Sequence, residues 1–305
     1  MFMKRIIVIC GPTGIGKTSF AISVARRFNG EIIGADSMQI YKHMNIGTAK
    51  PDTEELKLVR HHLVNFVDPK EDFDAGKFVK AADKAIEDIS ARGKIPIIAG
   101  GTGLYIKALL HGLFRSKPIC PQTISELTRE LEEKGSTSLY QKLEKCDPKA
   151  AKKIHPNDSF RVIRALEVCQ TTGQKISDRQ KNHNFEDQRY NFFKIGLYMD
   201  RGKLYDRINK RVGLMLNQGL LNEVTTLAQK GYSFNLKSMQ SIGYKHMAMF
   251  INNEIDWEEA VRLFKRDTRR YAKRQFTWFH KDKDMHWLMP SQLDEAEKLI
   301  KEFLT

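Results

Sequence analysis

The sequence predicts an α/β fold, in which a parallel β-sheet is covered by helices and interrupted by a helical insertion. Three observations support this prediction. Strand-like and helix-like segments alternate through the first hundred residues, an apolar strand at residues 6–10 runs into a glycine-rich loop, and a polar, helix-like stretch interrupts the pattern. We expect residues 1–113 and 191–305 to form the core and residues 114–190 to form the insertion.

The glycine-rich loop at residues 11–18 reads G-P-T-G-I-G-K-T, which fits the P-loop pattern with a strand before it and a helix after it. Loop amides and the helix N-terminus would surround a phosphate, and a lysine would add a full positive charge. A turn that needs only glycine would not explain the lysine and threonine. The core is therefore expected to be P-loop NTPase-like. The candidate ligands of a di- or triphosphate are Gly11, Pro12, Thr13, Gly14, Ile15, Gly16, Lys17 and Thr18, of which Thr18 would also hold Mg²⁺.

The remaining elements follow from apolar runs and their periodicity. In chain order we expect a helix at 17–29, strands at 31–35 and 62–67, a helix at 75–92, strands at 95–99 and 192–199, a helix at 257–280 and an edge strand at 285–288. Ligands of such sheets bind beyond the carboxyl ends of the strands. The P-loop, Asp36 and Thr102 each follow a strand, so we expect them to converge on one cleft.

Composition limits the class of protein. The 305 residues include 51 Lys+Arg and 37 Asp+Glu, and the net charge of +14 favours a polyanionic partner, with nucleic acid ahead of membrane. No apolar run is long enough to span a membrane, and no signal peptide is expected. The four scattered cysteines are typical of reduced thiols, so we expect a cytoplasmic protein, and we expect it to be a monomer.

Asp36 is the candidate catalytic acid, because it directly follows an apolar strand and stands in a tight turn. The strand at 95–99 ends in glycine and lacks the acid that a motor ATPase would need. An acid near a P-loop suits a general base or a metal partner. On spacing alone, a cap of the turn, assisted by Ser37, is an equally good interpretation.

A series of motifs in order along nearly the whole chain resembles the tRNA dimethylallyltransferase family, which are P-loop prenyltransferases. Beyond the P-loop, the resemblance includes single residues at Arg161, Arg211, Met215, Gly219 and Glu223. It also includes D-S-M-Q-I-Y at 36–41, G-T-A-K-P at 47–51, G-G-T-G-L-Y at 100–105, I-H-P-N-D at 154–158, R-A-L-E at 164–167, I-G-Y at 242–244 and A-K-R-Q at 272–275.

The resemblance implies transfer of a dimethylallyl group from dimethylallyl diphosphate to N6 of the adenosine 3′ to the anticodon of a tRNA. Asp36 would be the general base, and the P-loop, Mg²⁺ at Thr18 and Arg211 would stabilise the leaving diphosphate. Where a tRNA-contacting arginine is expected in the insertion this chain has Ile124, and Arg129 is the nearest arginine. The implied contacts with the anticodon stem-loop are Asp36, Ser37, Met38, Gln39, Thr102, Ile124, Phe160, Arg161, Val162, Ile163 and Arg164.

The residues themselves leave structural alternatives open. Thr102 could be an ordinary loop hydroxyl, and Met38 and Gln39 could be turn and core residues. Arg161 and Arg164 share a helix face, which could point at phosphates or be solvated and paired with Glu167. A basic stripe on the helix at 257–280 could likewise face RNA or solvent, whereas its apolar residues are expected in the core. The stripe is Arg262, Arg266, Arg269, Arg270 and Lys273, and the apolar residues are Val261, Phe264, Tyr271 and Phe276.

Two other functions use parts of the same pattern. A small-molecule or nucleotide kinase would share the loop and the acid, but it would need neither the net charge of +14 nor a large insertion. A non-catalytic RNA-binding switch would explain the charge, but not an acid and a hydroxyl that converge on a phosphate site. The sequence therefore favours the transferase.

Overall fold

The computed structural model describes residues 3–113, 120–183 and 188–305, without the side chains of residues 180–183. The chain forms two compact units. The first comprises Met1–Leu110 and Gln188–Thr305, and the second comprises His111–Asp187. In the described parts of both units, no helix is long and apolar enough to cross a membrane.

A parallel sheet lies at the centre of the first unit. In the described chain it has six strands in the order β3-β2-β4-β1-β5-β6, and every pairing is parallel. The strands are β1 (Arg5–Cys10), β2 (Gly30–Gly34), β3 (His61–His62), β4 (Ile95–Gly100), β5 (Asn191–Leu197) and β6 (His286–Leu288). This topology confirms the α/β prediction.

Helices alternate with these strands in the first unit and make up the regular structure described in the second. Those of the first unit are α1 (Lys17–Arg27), α2 (Thr53–Leu58), α3 (Ala75–Ala91), α4 (Gly103–His111), α9 (Arg201–Asn217), α10 (Leu220–Gln229), α11 (Tyr244–Ile251), α12 (Trp257–Phe279) and α13 (Leu293–Leu304). Those of the second are α5 (Pro121–Cys146), α6 (Pro148–Ala151), α7 (Ser159–Thr172) and α8 (Ile176–His183).

The central strand β1 and its neighbours bring the loops that follow β1, β2 and β4 close together. Its five residues at 6–10 are completely buried, as expected for a strand covered on both faces. In the register Cys10 lies opposite Gly100, and Gly34 lies opposite Ala99. The chain segments that leave β1, β4 and β2 therefore emerge side by side at one edge of the sheet.

The strand expected at 62–67 is much shorter in the structure. β3 ends at His62 because Leu63 and Asn65 both have φ of 58°, a left-handed conformation that cannot continue a strand. Further along, Val67 makes only an isolated parallel bridge with Tyr41. The edge strand expected at 285–288 is present as β6, which pairs with β5.

Two hydrophobic clusters support the first unit. One packs α1 and α13 against the sheet, with Phe20, Val24 and Ile300 among its buried residues. The other joins the segment after β2 to α9–α12 and contains Tyr244 and Phe264. The second cluster fixes helices α9 and α12 relative to the sheet edge, where they line the cavities described below.

The second unit has a separate core. Leu139, Leu143 and Val162 are buried between α5 and α7, and α5 is kinked at Gly135, which has φ of 76°. Asp147 is completely buried and caps α6, accepting hydrogen bonds from the backbone of Ala150 and from the backbone and side chain of Ser177. No strand occurs in the described residues of this unit.

Candidate active site

The P-loop connects β1 to α1 and leaves the helix N-terminus open. Gly16 has φ of 104°, a conformation that favours glycine, and no side chain caps the first turn of α1. The amide groups of this turn therefore have no partner from a capping side chain, and they can donate to an anion. This geometry is compatible with the phosphate-binding loop that the sequence predicts.

Lys17 supplies a cation within this loop. Its Nζ donates to the carbonyl oxygen of Pro12 at 2.9 Å. Burial lowers the pKa of Lys17 to about 8, an effect that the nearby Arg211 reinforces and the charge of Asp36 opposes. The ammonium is therefore held in a site that favours an added negative charge.

Two cavities meet beside the P-loop. The first has a volume of about 410 Å³ and is strongly basic, because Lys17 on one side faces three cations of α9. Its lining includes Thr13, Gly14, Gly16, Lys17, Thr18, Asp36, Gln39, Glu55, Arg207, Lys210, Arg211 and Gln275. This cavity fits a diphosphate, since loop amides and cations surround it.

The second cavity, of about 310 Å³, has mostly apolar and aromatic walls. Thr13, Asp36 and Arg211 line both cavities, so Asp36 lies on the boundary between them. The Ser241 hydroxyl at its wall is buried without a hydrogen-bond partner among the described residues. The other lining residues include Met38, Ala49, Ile208, Val212, Met215, Ile242, Phe264, Tyr271 and Arg274.

Asp36 has the structural role that the sequence left open, and its geometry is compatible with the chemical one, which stays a prediction. Its Oδ1 accepts hydrogen bonds from the backbone of Met38 at 2.8 Å and of Gln39 at 3.2 Å, so it caps the turn after β2. No hydrogen bond to its Oδ2 is found in the described chain. One oxygen therefore holds the turn, while the other remains free to accept a proton.

Thr102 is tied to this turn. Its backbone donates to Ala35 at 3.1 Å, and its Oγ1 accepts from the backbone of Ser37 at 3.0 Å. The side chain of Tyr271 lies close to Thr102. The structure thus brings the P-loop, Asp36 and Thr102 together at one edge of the sheet, as the sequence predicts.

Gln39 and Met38 contribute to the cavities in different ways. Gln39 Nε2 donates to the carbonyl oxygens of Thr48 and Ala49, at 3.2 and 2.9 Å, and so secures the loop that follows. Met38 lines the second cavity and packs against the neighbouring hydrophobic cluster. The amide nitrogen of Gln39 therefore has a structural role, which is one of the two alternatives that the sequence left open.

Helix α9 presents three cations to the first cavity, of which only Arg211 is expected from the sequence. Arg207, Lys210 and Arg211 share one helix face, and Arg207 Nε donates to the carbonyl oxygen of Gly14 at 3.0 Å. Burial lowers the pKa of Arg211, and the negative charges of Asp36 and Glu55 partly offset this decrease. Their spacing of three and four residues could have predicted a shared basic face on this helix.

Glu223 and Tyr244 are further residues whose role only the structure reveals. The Glu223 carboxylate accepts from the backbone of Asn45, Ile46 and Gly47, and from the Tyr244 hydroxyl at 2.6 Å. This carboxylate holds the loop whose Thr48 lines both cavities. Both residues belong to motifs of the sequence, but a carboxylate bound to successive amides cannot be inferred from spacing.

Helix α12 differs from the expectation for its apolar residues. Phe264 is in the core, as expected, and its ring also forms part of the wall of the second cavity. Tyr271 is absent from the core cluster and lines the same cavity, close to Thr102. Of the basic stripe, Arg262 pairs with Glu259 and Arg266 with Asp267, while Arg270 and Lys273 are exposed. A side chain expected in the core therefore belongs to the site.

The residues expected to contact tRNA in the insertion lie in the second unit, and they differ in exposure. Phe160 is 76% exposed, and Arg161 is exposed and pairs with Asp158. Val162 is buried in the core of this unit, so its side chain is not available at the surface; Ile163 packs partly against the same core. Ile124 lies in the first turn of α5 and is partly buried, and the expected arginine contact has no counterpart at this position.

Arg164 has a structural partner. It forms an ion pair with Glu167, whose side chain is 1% exposed and which also accepts a hydrogen bond from the backbone of Cys120. Arg161 and Arg164 share a helix face but differ in environment: Arg161 is exposed, whereas Arg164 is paired with a buried carboxylate. Contact with tRNA stays a prediction for all six of these residues: Ile124, Phe160, Arg161, Val162, Ile163 and Arg164.

Comparison with known proteins gives consistent matches over nearly the whole chain. The family model described as IPP transferase matches residues 39–282. The chain is 49% identical to a tRNA dimethylallyltransferase of Desulfosudis oleivorans, over 98% of this chain and 96% of the relative. It is 50% identical to a tRNA dimethylallyltransferase of Acetivibrio thermocellus, with the same coverage.

Solved structures agree. A tRNA isopentenylpyrophosphate transferase from Staphylococcus epidermidis superposes with a TM-score of 0.72 at 43% identity, covering 98% of this chain and 99% of the other. A eukaryotic dimethylallyltransferase acting on tRNA superposes with a TM-score of 0.81 at 33% identity, covering 97% of this chain and 78% of the other. With these matches and the site geometry together, the chain belongs to the IPP transferase family.

Proposed function

We propose that this protein transfers a dimethylallyl group from dimethylallyl diphosphate to N6 of the adenosine adjacent to the anticodon, on its 3′ side, in tRNA. The observation that carries the proposal is the position of Asp36 on the boundary between a basic, P-loop-lined cavity and a mostly apolar one. The first suits a diphosphate, and the second suits a flat base that has left its stack.

The reaction would proceed at that boundary. The bond between C1 of the dimethylallyl group and the bridging oxygen breaks, and the N6 lone pair forms the new bond to C1. The N6 proton passes to the carboxylate of Asp36, and the diphosphate leaves with the bonding electron pair. An exocyclic amine conjugated to the ring is a weak nucleophile, so proton removal during attack lowers the barrier.

Negative charge that develops on the diphosphate would be stabilised by the P-loop amides, Lys17 and Arg211. Arg207 and Lys210 line the same cavity and would add to this field. Electrostatic stabilisation of this kind needs groups that are fixed before the reaction, and the bond from Arg207 to Gly14 holds one of them in place. Thr102 would contact the acceptor base next to Asp36.

The residues present fit a magnesium ion. The described chain has no cluster of three or more His, Cys, Asp or Glu that could hold a metal ion alone. Mg²⁺ commonly binds instead through one or two protein oxygens together with substrate phosphates and water. The Thr18 hydroxyl, which lines the first cavity, would hold the ion with the diphosphate, and the bound ion would neutralise part of the leaving group's charge.

The second unit would bind the anticodon stem-loop through exposed residues at the start of α7. Phe160 offers an aromatic face for stacking, and Arg161 offers a cation for a phosphate. Base contacts of this type discriminate single-stranded loops, whereas phosphate contacts orient the RNA.

The proposal is tested by mass spectrometry of nucleosides from tRNA incubated with the protein, dimethylallyl diphosphate and magnesium. We expect a dimethylallyl adenosine among these nucleosides. A parallel incubation replaces the donor with ATP and the tRNA with low-molecular-weight hydroxyl acceptors. Phosphorylated acceptor in that arm, without modified tRNA in the first, would favour the kinase alternative.

A further inference from the structure

Gln275 on α12 forms a bridge between two loops of the site. Its Oε1 accepts a hydrogen bond from the backbone of Thr13 at 2.8 Å, and its Nε2 donates to the carbonyl oxygen of Gly101 at 2.9 Å. The residue is 6% exposed, so water does not substitute easily for either partner. One amide side chain thus connects the P-loop to the loop after β4.

The carboxamide of Gln275 is suited to this bridge. It presents one acceptor and one donor in a plane, and only one of its two orientations pairs the oxygen with the N–H of Thr13 and the nitrogen with the carbonyl oxygen of Gly101. Gly101 lies so close that a Cβ at this position would come within 2.3 Å of Gln275 Nε2. The glycine is therefore required for the approach.

The contact extends to the proposed base through neighbouring hydrogen bonds. Gly101 precedes Thr102, whose Oγ1 accepts from the backbone of Ser37, next to Asp36. A continuous series therefore runs from the P-loop amide of Thr13, through Gln275 and the Gly101–Thr102 segment, to the turn that carries Asp36. Tyr271, one turn before Gln275 on α12, lies close to Thr102 and packs beside the same segment.

These loops lie beyond the sheet hydrogen bonds, so β-pairing alone does not fix the distance between them. We infer that Gln275 is a positioning residue that sets the distance between the diphosphate on the P-loop and the Asp36–Thr102 pair at the acceptor. The inference rests on the proposed function. A displacement of about 1 Å between reacting groups costs on the order of 100-fold in rate, so the bridge acts on catalysis more than on binding.

The test compares steady-state and single-turnover transfer by the full-length protein and its variants. Gln275→Met removes both bonds at similar side-chain length, and Gln275→Glu keeps the acceptor for Thr13 but places a second oxygen against Gly101. For both variants we expect kcat to fall about 10- to 100-fold. The KM values for tRNA and donor should stay within about threefold, as should donor affinity measured without tRNA, because the phosphate ligands remain in place.

Ser238→Ala is the matched control. Ser238 is 1% exposed and donates to the carbonyl oxygen of Pro69 at 2.7 Å, a buried link between two residues that themselves line neither cavity. It should lower thermal stability to a similar extent and keep kcat. A Gln275→Met enzyme with kcat within threefold of the parent overturns the inference, and so does an equal loss of kcat in Ser238→Ala.

Gly101→Ala breaks the bridge from the other side. It should lower kcat as well, and its combination with Gln275→Met should cost little more than either change alone, because both remove one link. Fully additive losses would contradict the inference.

Amide hydrogen exchange at Thr13 separates this inference from the proposed function. Gln275→Met should remove the protection of that amide whatever reaction the protein performs. If the parent enzyme modifies no tRNA, the proposed function fails; if Thr13 exchange is unchanged in Gln275→Met, the bridge itself is wrong.

Discussion

At the scale of single residues, the site depends on side chains that have an observed structural role and a proposed chemical one. Asp36 caps the turn after β2 through one oxygen and leaves the other for proton transfer. Such residues are only half predictable. The sequence places Asp36 and Thr102 just after strands and Lys17 in the P-loop, whereas the roles of Gln275 and Glu223 depend on contacts with loops that are distant in sequence.

Asp36→Asn separates the two roles of this residue. The amide oxygen of asparagine can still accept from Met38 and Gln39, so the turn should persist, but the side chain cannot take the N6 proton. We expect single-turnover transfer to fall by about 10²–10⁴-fold, with donor and tRNA affinity nearly unchanged.

The control is Asp36→Ala, which removes the cap as well and should also lower stability, by about 1 kcal/mol. If the asparagine variant transfers within a few-fold of the parent rate, Asp36 is only a cap.

The lowered pKa of Lys17 predicts how donor binding depends on pH. Burial disfavours the ammonium, so it is present below its pKa of about 8 and is lost as pH rises through that value. The affinity for dimethylallyl diphosphate without tRNA should therefore be steady near pH 7 and fall by up to about tenfold per pH unit above pH 8. Calorimetric titration between pH 6.5 and 9.5 measures this.

Lys17→Arg is the control, since a guanidinium stays charged throughout this range. The donor affinity of this variant should depend less on pH, even if the larger guanidinium weakens binding at every pH. The control is needed because burial also lowers the pKa of Lys50 to about 8. An inflection that persists in Lys17→Arg would assign the effect to another group such as Lys50, whose Nζ contacts Asn45 and Asn65.

At the scale of elements, strands were more predictable than the faces of helices. The apolar runs at β1, β2, β4 and β5 indicate buried strands because a doubly covered sheet needs them. The end of β3 depends on left-handed residues that no apolar pattern reveals. On α12, periodicity separates the apolar face from the basic face. It does not show that Tyr271 lines a cavity, because the core and the wall of a mostly apolar cavity both suit an aromatic ring.

The two arginines of α7 should respond differently to substitution. Arg161 is 68% exposed, so Arg161→Gln should change stability by less than about 1 kcal/mol and flatten the salt dependence of tRNA affinity by about one unit. Arg164→Gln leaves the buried Glu167 without its ion pair and should lower the free energy of unfolding by about 3 kcal/mol. Chemical denaturation measures the stability, and filter binding measures the affinity.

Adding Glu167→Gln to Arg164→Gln removes the uncompensated charge and should restore part of the stability. If instead Arg164→Gln is as stable as the parent, the ion pair does not support the second unit. An unchanged salt slope in Arg161→Gln would show that the start of α7 is solvated in the complex.

At the scale of the whole molecule, the basic surplus is distributed unevenly. Residues 111–187 hold 14 of the 51 Lys and Arg and 11 of the 37 Asp and Glu, which leaves 37 basic against 26 acidic residues in the other unit. The net charge is thus +3 for the helical unit and +11 for the P-loop unit. The sequence analysis assigned RNA binding mainly to the insertion, but most of the positive charge lies on the unit that carries the proposed chemistry.

This distribution predicts that the P-loop unit contributes much of the electrostatic attraction for tRNA. Arg270 and Lys273 on α12 are exposed, and neither forms an ion pair with a described residue. Each phosphate neutralised contributes about 0.7–0.9 to the slope of log affinity against log salt. Changing both residues to glutamine should therefore flatten the slope by about one to two units, while donor binding without tRNA stays the same.

Arg262→Gln is the matched control on the same helix. Arg262 is 62% exposed, but its guanidinium makes two hydrogen bonds of 2.6 Å with Glu259, so its charge is already compensated and its removal should alter the slope by much less than one unit. The slopes are compared for intact tRNA and for an isolated anticodon stem-loop. A smaller effect of the double change on the stem-loop would place α12 against the rest of the tRNA, and an equal effect would place it at the stem-loop. If the double variant keeps the parent slope with both RNAs, this face of α12 is solvated in the complex, and the positive charge that attracts tRNA must lie on another surface of the P-loop unit or on the helical unit.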